Sequence, residues 1–399
     1  MSGWKEFTLN EIADFPPVVK LYRGYEYSFI KMEDISVGQR FVLPEEKRRY
    51  GNSSCSKFGN DDILFARITP CLENGKIAQV KLRKNNSGFG STEFFVFRGK
   101  KEKLNQSFLY YLAKSDLIWK SAVNSMVGAS GRQRADSGFL GNLRFRIPLL
   151  PIQRKIAAVL SAYDDLIENN NRRIAILENM AAELYREWFV RLRFPGHDSV
   201  GAGLKPAPSK GVPEGWEVKK LSDVVELAYG KALKEEDRVD GPYPVYGSSG
   251  IVGFHNHALV KGPGIIVGRK GNVGSVIWSS LDFFPIDTTY YVKSKFPFEY
   301  VYYLIQSMNF INNDAAVPGL NREQAYANKF YFPPLSLIDS FAAMAKPFFT
   351  QKNSLKKQNE FLEISRDRLL SRLMSGKIDV ENLDIQFPDS MKEEAVANA

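Results

Sequence analysis

Between residues 156 and 188 apolar side chains return at alternating steps of four and three: Ile156, Leu160, Tyr163, Ile167, Ile174, Leu177, Ala181, Leu184 and Trp188, with Asn170 the polar exception. A 3.5-residue repeat keeps one stripe of a helix turned toward a partner helix, so the pattern predicts a coiled-coil seam. The same register 185 residues later reads Phe341, Ala345, Phe348, Lys352, Leu355, Asn359, Leu362, Arg366, Leu369 and Leu373, a second seam with three polar members. Asn359 stands at the position equivalent to Asn170. The two either pair and set register at some cost in stability, or each faces solvent. Pro347 is expected to kink or interrupt the second helix near its start.

The shared register belongs to a duplication. IPLLPIQRKIAA, beginning at Ile147, lies over FPPLSLIDSFAA, beginning at Phe332, without a gap, and the same offset carries Leu177 and Glu178 onto Leu362 and Glu363. Upstream, Trp4 and Leu9 match Trp216 and Leu221; DILFAR at Asp62 matches GIIVGR at Gly264; STEFFVF at Ser91 matches DTTYYVK at Asp287; FLYYLAKS at Phe108 matches YVYYLIQS at Tyr300. Runs such as ILFARI, IAQVKL, FFVFR, GIIVGR and TTYYVK are β-branched and aromatic, bounded by Gly, Asn, Asp and Pro, and read as short strands. The fold class is therefore α+β: two similar strand-rich domains, each followed by a long helix. The boundaries expected are 1–146 and 214–331 for the two domains, 147–194 and 332–380 for the helices, a Gly/Pro-rich linker at 195–213 and a tail at 381–399.

Composition narrows the class. With 44% hydrophobic and 25% charged residues the chain is that of a soluble globular protein, and no apolar run approaches the roughly 18 residues that a membrane span needs. Lys5, Glu6 and Glu11 interrupt the N-terminal stretch where a signal peptide would be apolar, so a cytoplasmic location is expected. Cys55 and Cys71 lack ligand or disulfide-framework spacing. The net charge of +9 lies in the first domain: residues 1–146 hold 24 basic and 15 acidic side chains, whereas residues 212–331 hold 12 and 13. A basic-patch argument for an anionic partner holds for the first half and fails for the second.

Catalytic equipment is not found. There is no GxxxxGK[ST] phosphate loop, and no GxGxxG between a strand and a helix. FPPL at Phe332 lacks the polar first residue and final aromatic of an amino-methyltransferase motif, and reads as a helix start. His255 and His257 in FHNH have no evident third ligand, so no metal site is expected. Asp164, Asp165 and Glu168 resemble paired carboxylates, but their heptad phase reads as a solvated flank.

PLLPIQRKIAAVLSAYDDLIENNNRRIAILENMAAELYREWFVRLRFPG followed by GVPEGWEVKKLSDV resembles the central region and second-domain start of type I restriction-modification specificity subunits. YGSSGIVGF, GPGIIVGRKGNVGSV and FYFPPL resemble the matching parts of a second target-recognition domain, so the resemblance covers nearly the whole chain. It implies two target-recognition domains related by a pseudo-two-fold axis, with the long helices packed antiparallel between them. It also implies a non-catalytic subunit that reads a split target in double-stranded DNA and docks two methyltransferase subunits and, through them, two ATP-dependent translocase-nuclease subunits. S-adenosylmethionine, ATP and magnesium would then be held by the partners. A helix of thirty-three residues, roughly 50 Å long, would serve as a ruler between half-sites. Two other readings stay open: a specificity subunit of a related restriction class whose partner is a fused methyltransferase-nuclease, and a coiled-coil scaffold that does not bind DNA.

Base reading needs Arg or Lys for guanine, Asn or Gln for adenine, and further donors for phosphates. GASGRQRADSG offers Arg132, Gln133 and Arg134, and PGLNREQAY offers Asn321, Arg322 and Gln324 at the corresponding place. GRKGNVGS sets Arg269, Lys270 and Asn272 among glycines, and Arg67 and Lys76 occupy the similar region of the first half. These are the candidate DNA-binding residues; a polar surface turn is the alternative for each.

Overall fold

The computed structural model describes residues 3–51, 54–82, 87–129, 131–196, 213, 215–308, 310 and 319–391. Most of the expected linker 195–213 and the end of the expected tail 381–399 lie outside the described residues. The chain divides into two compact units, one of Met1–Asn171 with Lys357–Ala399, the other of Arg172–Lys356. Each unit thus combines one strand-rich segment with part of the first long helix, Leu150–Tyr185, and part of the second, Leu335–Met374.

In the first unit the central strands are Phe94–Gly99 and Ile63–Ala66, paired antiparallel with Phe95 opposite Phe65. They sit in a five-stranded sheet beside Ile77–Val80, Phe41–Val42 and Ala13–Asp14. Their residues are apolar without alternation because both faces are covered. Ile63, Phe65 and Phe97 join a core with the helix Gln106–Lys114, while Leu64, Ala78 and Val96 join a second core with Ile30 and Phe58. Successive side chains point to opposite faces of a strand, so one short run feeds two cores. The strands Glu46–Arg49, Glu26–Ile30, Ser87–Gly90 and Ser56–Gly59 form a separate four-stranded sheet.

The second unit repeats the central part. Gly264–Gly268 is buried throughout and pairs antiparallel with Thr289–Lys293 and Val276–Ser279. Ile265 and Val267 enter the main core of the unit, and Ile266 enters a smaller one with Tyr246 and Phe283. In both units a two-stranded ribbon closes the domain just before the long helix: Lys5–Thr8 with Arg144–Ile147, and Glu217–Lys220 with Lys329–Phe332.

Within each unit the helix segments run antiparallel, since ascending numbers on one meet descending numbers on the other. In the first unit Asn170 Nδ2 donates to Asn359 Oδ1 at 2.9 Å, and Arg366 Nη1 donates to Asp164 Oδ1 at 2.6 Å. In the second, Lys352 Nζ lies 3.3 Å from Glu178, and the Tyr185 and Phe341 rings are 5.9 Å apart. The three polar members of the second seam, Lys352, Asn359 and Arg366, are all buried and each faces a polar partner. Asn170 and Asn359 therefore pair, and the solvent-facing alternative does not hold. Asp164 corrects the reading of a solvated flank: it is buried because a charged partner one seam position away on the other helix turns inward to meet it.

Ile156, Leu160, Ile167, Ile174, Leu177, Trp188, Phe341, Leu355 and Leu373 are buried, whereas Tyr163, Leu184, Phe348, Leu362 and Leu369 are half-buried. Tyr185, Phe349 and Leu370, each one residue beyond a half-buried seam position, are buried instead. A straight helix with 3.6 residues per turn drifts against a 3.5 repeat, which moves the buried stripe by one position toward the helix ends. Pro347 does not interrupt the second helix, which is continuous from Leu335 to Met374. Among the described residues no helix is long and apolar enough to cross a membrane.

Candidate nucleic-acid interface

Both units end a fully buried central strand on an arginine. Arg67 follows Ile63–Ala66; its backbone N–H donates to the Glu93 carbonyl at 3.0 Å, and its carbonyl accepts from the Ala135 N–H at 2.8 Å. Arg269 follows Gly264–Gly268; its N–H donates to the Thr288 carbonyl at 2.9 Å, and its carbonyl accepts from the Leu320 N–H at 2.7 Å. The same three stretches of chain meet around each arginine. One residue beyond Ala135 and Leu320, a side chain caps a short helix: Asp136 accepts from the Phe139 N–H, and Asn321 from the Glu323 and Gln324 N–H groups.

These contacts align Asp136 with Asn321 and Arg134 with Gly319, whose backbones bridge to Ile68 and Lys270 respectively. Arg132, Gln133 and Arg134 accordingly precede the helix start, while Arg322 and Gln324 follow it. The two triplets share a loop but not a position. Asn321 is engaged as the cap, a role that uses its side-chain oxygen.

The arginines are held differently in the two units. Arg134 grips Glu93 through Nε at 2.9 Å and Nη2 at 2.6 Å, and Arg67 lies 4.0 Å from the same carboxylate with its guanidinium 4.8 Å from the Phe95 ring centre. The hydrogen bond from Arg134 holds the Glu93 carboxyl below its usual range. One carboxylate thus faces two guanidinium groups. Lys76 Nζ donates to the Met32 carbonyl at 2.8 Å, while Arg132 is exposed and Gln133 half-buried.

In the second unit tyrosine rings take the place of the carboxylate. Arg269 donates from Nε at 3.0 Å and Nη2 at 2.6 Å to the Asp287 carbonyl, with its guanidinium 5.4 Å from the centre of the Tyr229 ring and 5.9 Å from that of Tyr290. Arg322 lies 5.1 Å from the Tyr229 centre and 5.9 Å from that of Tyr326, with Glu323 3.7 Å away. Burial, followed by the neighbouring Tyr229, pushes the Tyr290 hydroxyl up to about 12. It stays protonated and donates to the Leu320 carbonyl at 3.1 Å.

The adjoining loop is glycine-bound for steric reasons. A Cβ on Gly268 would sit 2.1 Å from the Asn272 carbonyl oxygen, and Gly271 and Gly274 have φ of +78° and +76°. That tight path leaves Lys270 and Asn272 exposed at its tip. His255 Nδ1 accepts the Val239 N–H at 3.1 Å, a local turn contact. Glu93, Tyr229 and Tyr290 escaped the sequence reading. Part of their signal was a difference between the copies, Glu93 in STEFFVF where DTTYYVK places Thr288, and it becomes legible once backbone contacts align the strands.

A family model described as Type I restriction modification DNA specificity domain matches residues 1–179 and again residues 213–363. The MjaIX type I restriction enzyme specificity subunit of Methanocaldococcus jannaschii is 24% identical over 95% of this chain and 89% of its own length. The EcoAI specificity subunit of Escherichia coli is 33% identical over 39% of this chain and 27% of its own. A crystal structure of a type I restriction-modification system S subunit from M. genitalium is 17% identical, covers 97% of this chain and 96% of that one, and superposes with a TM-score of 0.48.

Proposed function

Because the chain belongs to the type I restriction modification DNA specificity family and carries that domain twice, we propose that it selects a bipartite DNA target, one half-site per unit, for catalytic partners. The observation that carries this reading is the repeated arginine-bearing strand end, built by the same three-way backbone crossing in both units. Side chains able to reach bases cluster beside it: Arg132 and Gln133 in the first unit, Lys270, Asn272 and Gln324 in the second. The helix segments keep exposed apolar side chains, Leu166, Phe361 and Ile364 in the first unit and Ile176, Met180 and Met344 in the second. Such groups suit docking of two methyltransferase subunits and, through them, two translocase-nuclease subunits, in a cytoplasmic complex. S-adenosylmethionine, ATP and magnesium then belong to those partners, and the chain itself performs no chemistry.

The test is reconstitution with a methyltransferase partner and a randomised duplex library. A methylated motif of two separated half-sites is expected. A complex that shows no salt-dependent duplex binding and no sequence preference would refute the proposal.

A further inference from the structure

We propose that Arg269 and Arg322, both set against the Tyr229 ring, form a site for one DNA backbone phosphate in the second recognition domain. This deepens the DNA-binding reading and rests on it. Residues 212–331 hold 12 basic and 13 acidic side chains, so phosphate attraction in this half has to come from placement. Placement is what the unit shows. Two guanidinium groups converge within 5.1 to 5.9 Å of tyrosine ring centres, and Tyr229 is 49% exposed.

Two cationic groups that share the Tyr229 ring favour an anionic phosphate over a neutral base edge. Arg269 commits Nε–H and one Nη2–H to the Asp287 carbonyl, which spends its side-on fork and fixes the plane of the guanidinium. Three N–H donors remain, two on Nη1 and one on Nη2, to meet an anion. Arg322 has Nε buried with no hydrogen-bond partner among the described residues, which leaves its terminal nitrogens to act. Stacking on aromatic faces orients planar guanidinium groups without cancelling their charge. Glu323, exposed and 3.7 Å from Arg322, opposes the site only weakly through solvent. The first domain differs at its equivalent strand end: Glu93 sits between Arg67 and Arg134 and offsets part of their charge. The domain with balanced composition therefore carries the less compensated anion site at this crossing.

Binding of the full chain to a duplex, alone and with its methyltransferase, measured across a salt series, tests the idea. R269Q and R322Q should each lower the slope of log K against log salt by about 0.9, one phosphate's worth, and the double variant should lower it no further, because both serve one phosphate. Y229L should match them, and Y229F, which restores the ring, should rescue the slope. The base preference of both half-sites should stay as in the wild type. A wild-type slope in all variants overturns the site, as does a changed base preference at one position, which would make these arginines base readers. If Y229L fails to fold, the arginine variants still decide. A wild-type chain with no salt-dependent binding removes the DNA reading, and this site with it.

Discussion

Asp164 and Arg366 are 4% and 2% exposed at the side chain, and their charges are kept inside by a shell of donors and acceptors. Tyr111 donates its hydroxyl to Asp164, and Arg366 also reaches the Gly38 carbonyl and Asp367. Burial opposes the Arg366 charge, but Asp164 and Asp367 outweigh it and hold the guanidinium above its usual range. Close by, Arg40 donates to Gln79, Ser107 and Ser161, which ties the strand-rich segment to the first helix. Removing one partner of a buried pair strands the other charge. Asp164→Ala should therefore cost about 3 to 5 kcal/mol in chemical denaturation, and the double change Asp164→Leu with Arg366→Met clearly less. Equal losses in the two variants would show that packing, not the stranded charge, sets the cost.

Lys352 makes the opposite case. Burial lowers its ammonium's affinity for the proton more than Glu178 restores it, because Glu178 is half exposed and its field is screened. Between that lowered value and the ordinary 10.5, the folded chain binds fewer protons than the unfolded chain, so stability rises with pH across the window. Lys352→Met should raise stability near neutrality by about 1 kcal/mol and flatten that rise. Thermal unfolding across alkaline pH is the measurement, and an unchanged slope would count against it.

At the scale of elements, the helix pairs are locked by polar contacts at seven-residue spacing along the second helix: Lys352, Asn359 and Arg366. Within the first unit, Asn359 meets Asn170 at 2.9 Å and Asn171 at 2.8 Å. An amide pair in an apolar seam stabilises little but penalises every shifted alignment. Replacing Asn170 and Asn359 together by Leu should leave stability unchanged or raise it by up to about 1 kcal/mol. It should also permit shifted or intermolecular pairing, visible as self-association by sedimentation. A double variant that stays monomeric and uniquely folded would assign register to the charged pairs alone.

The heptad phase was legible because apolar residues repeat every 3.5 positions, and so was the duplication, because the helix starts align without a gap. The amide pair of Asn170 and Asn359 was offered by that phase, but the charged partners on the first helix were not. Asp164 lies beside a seam position, and only the opposing Arg366 makes its burial tolerable; a one-dimensional pattern does not say which residues face each other across two antiparallel chains. The strands of both domains were legible from their buried apolar runs. The matching of Arg132, Gln133 and Arg134 to Asn321, Arg322 and Gln324 failed by four to five residues, because the 185-residue offset of the helix starts was not carried back into the loop. That offset takes Asp136 to Asn321, the same pairing that the hydrogen bonds of Arg67 and Arg269 with the chains beside them show.

For the whole molecule, the two units have separate cores, separate closing ribbons and separate candidate reading loops. Each described core cluster draws its residues from one unit alone. Recognition should therefore separate by half-site. Replacing Arg132 and Gln133 with alanine should relax one half-site of the methylated motif, at about 1 to 3 kcal/mol for each good bidentate pairing with a base that is removed, and leave the other intact. Replacing Lys270 and Asn272 should do the reverse. Arg134 and Asn321 are poorer choices, because the first is engaged with Glu93 and the second caps a helix, so their loss would mix folding with recognition. Deep sequencing of a randomised library after methylation by the reconstituted complex reads both half-sites at once. If either double variant changed both half-sites to the same extent, the units would be reading DNA jointly, and a coupled recognition surface would have to replace the modular one.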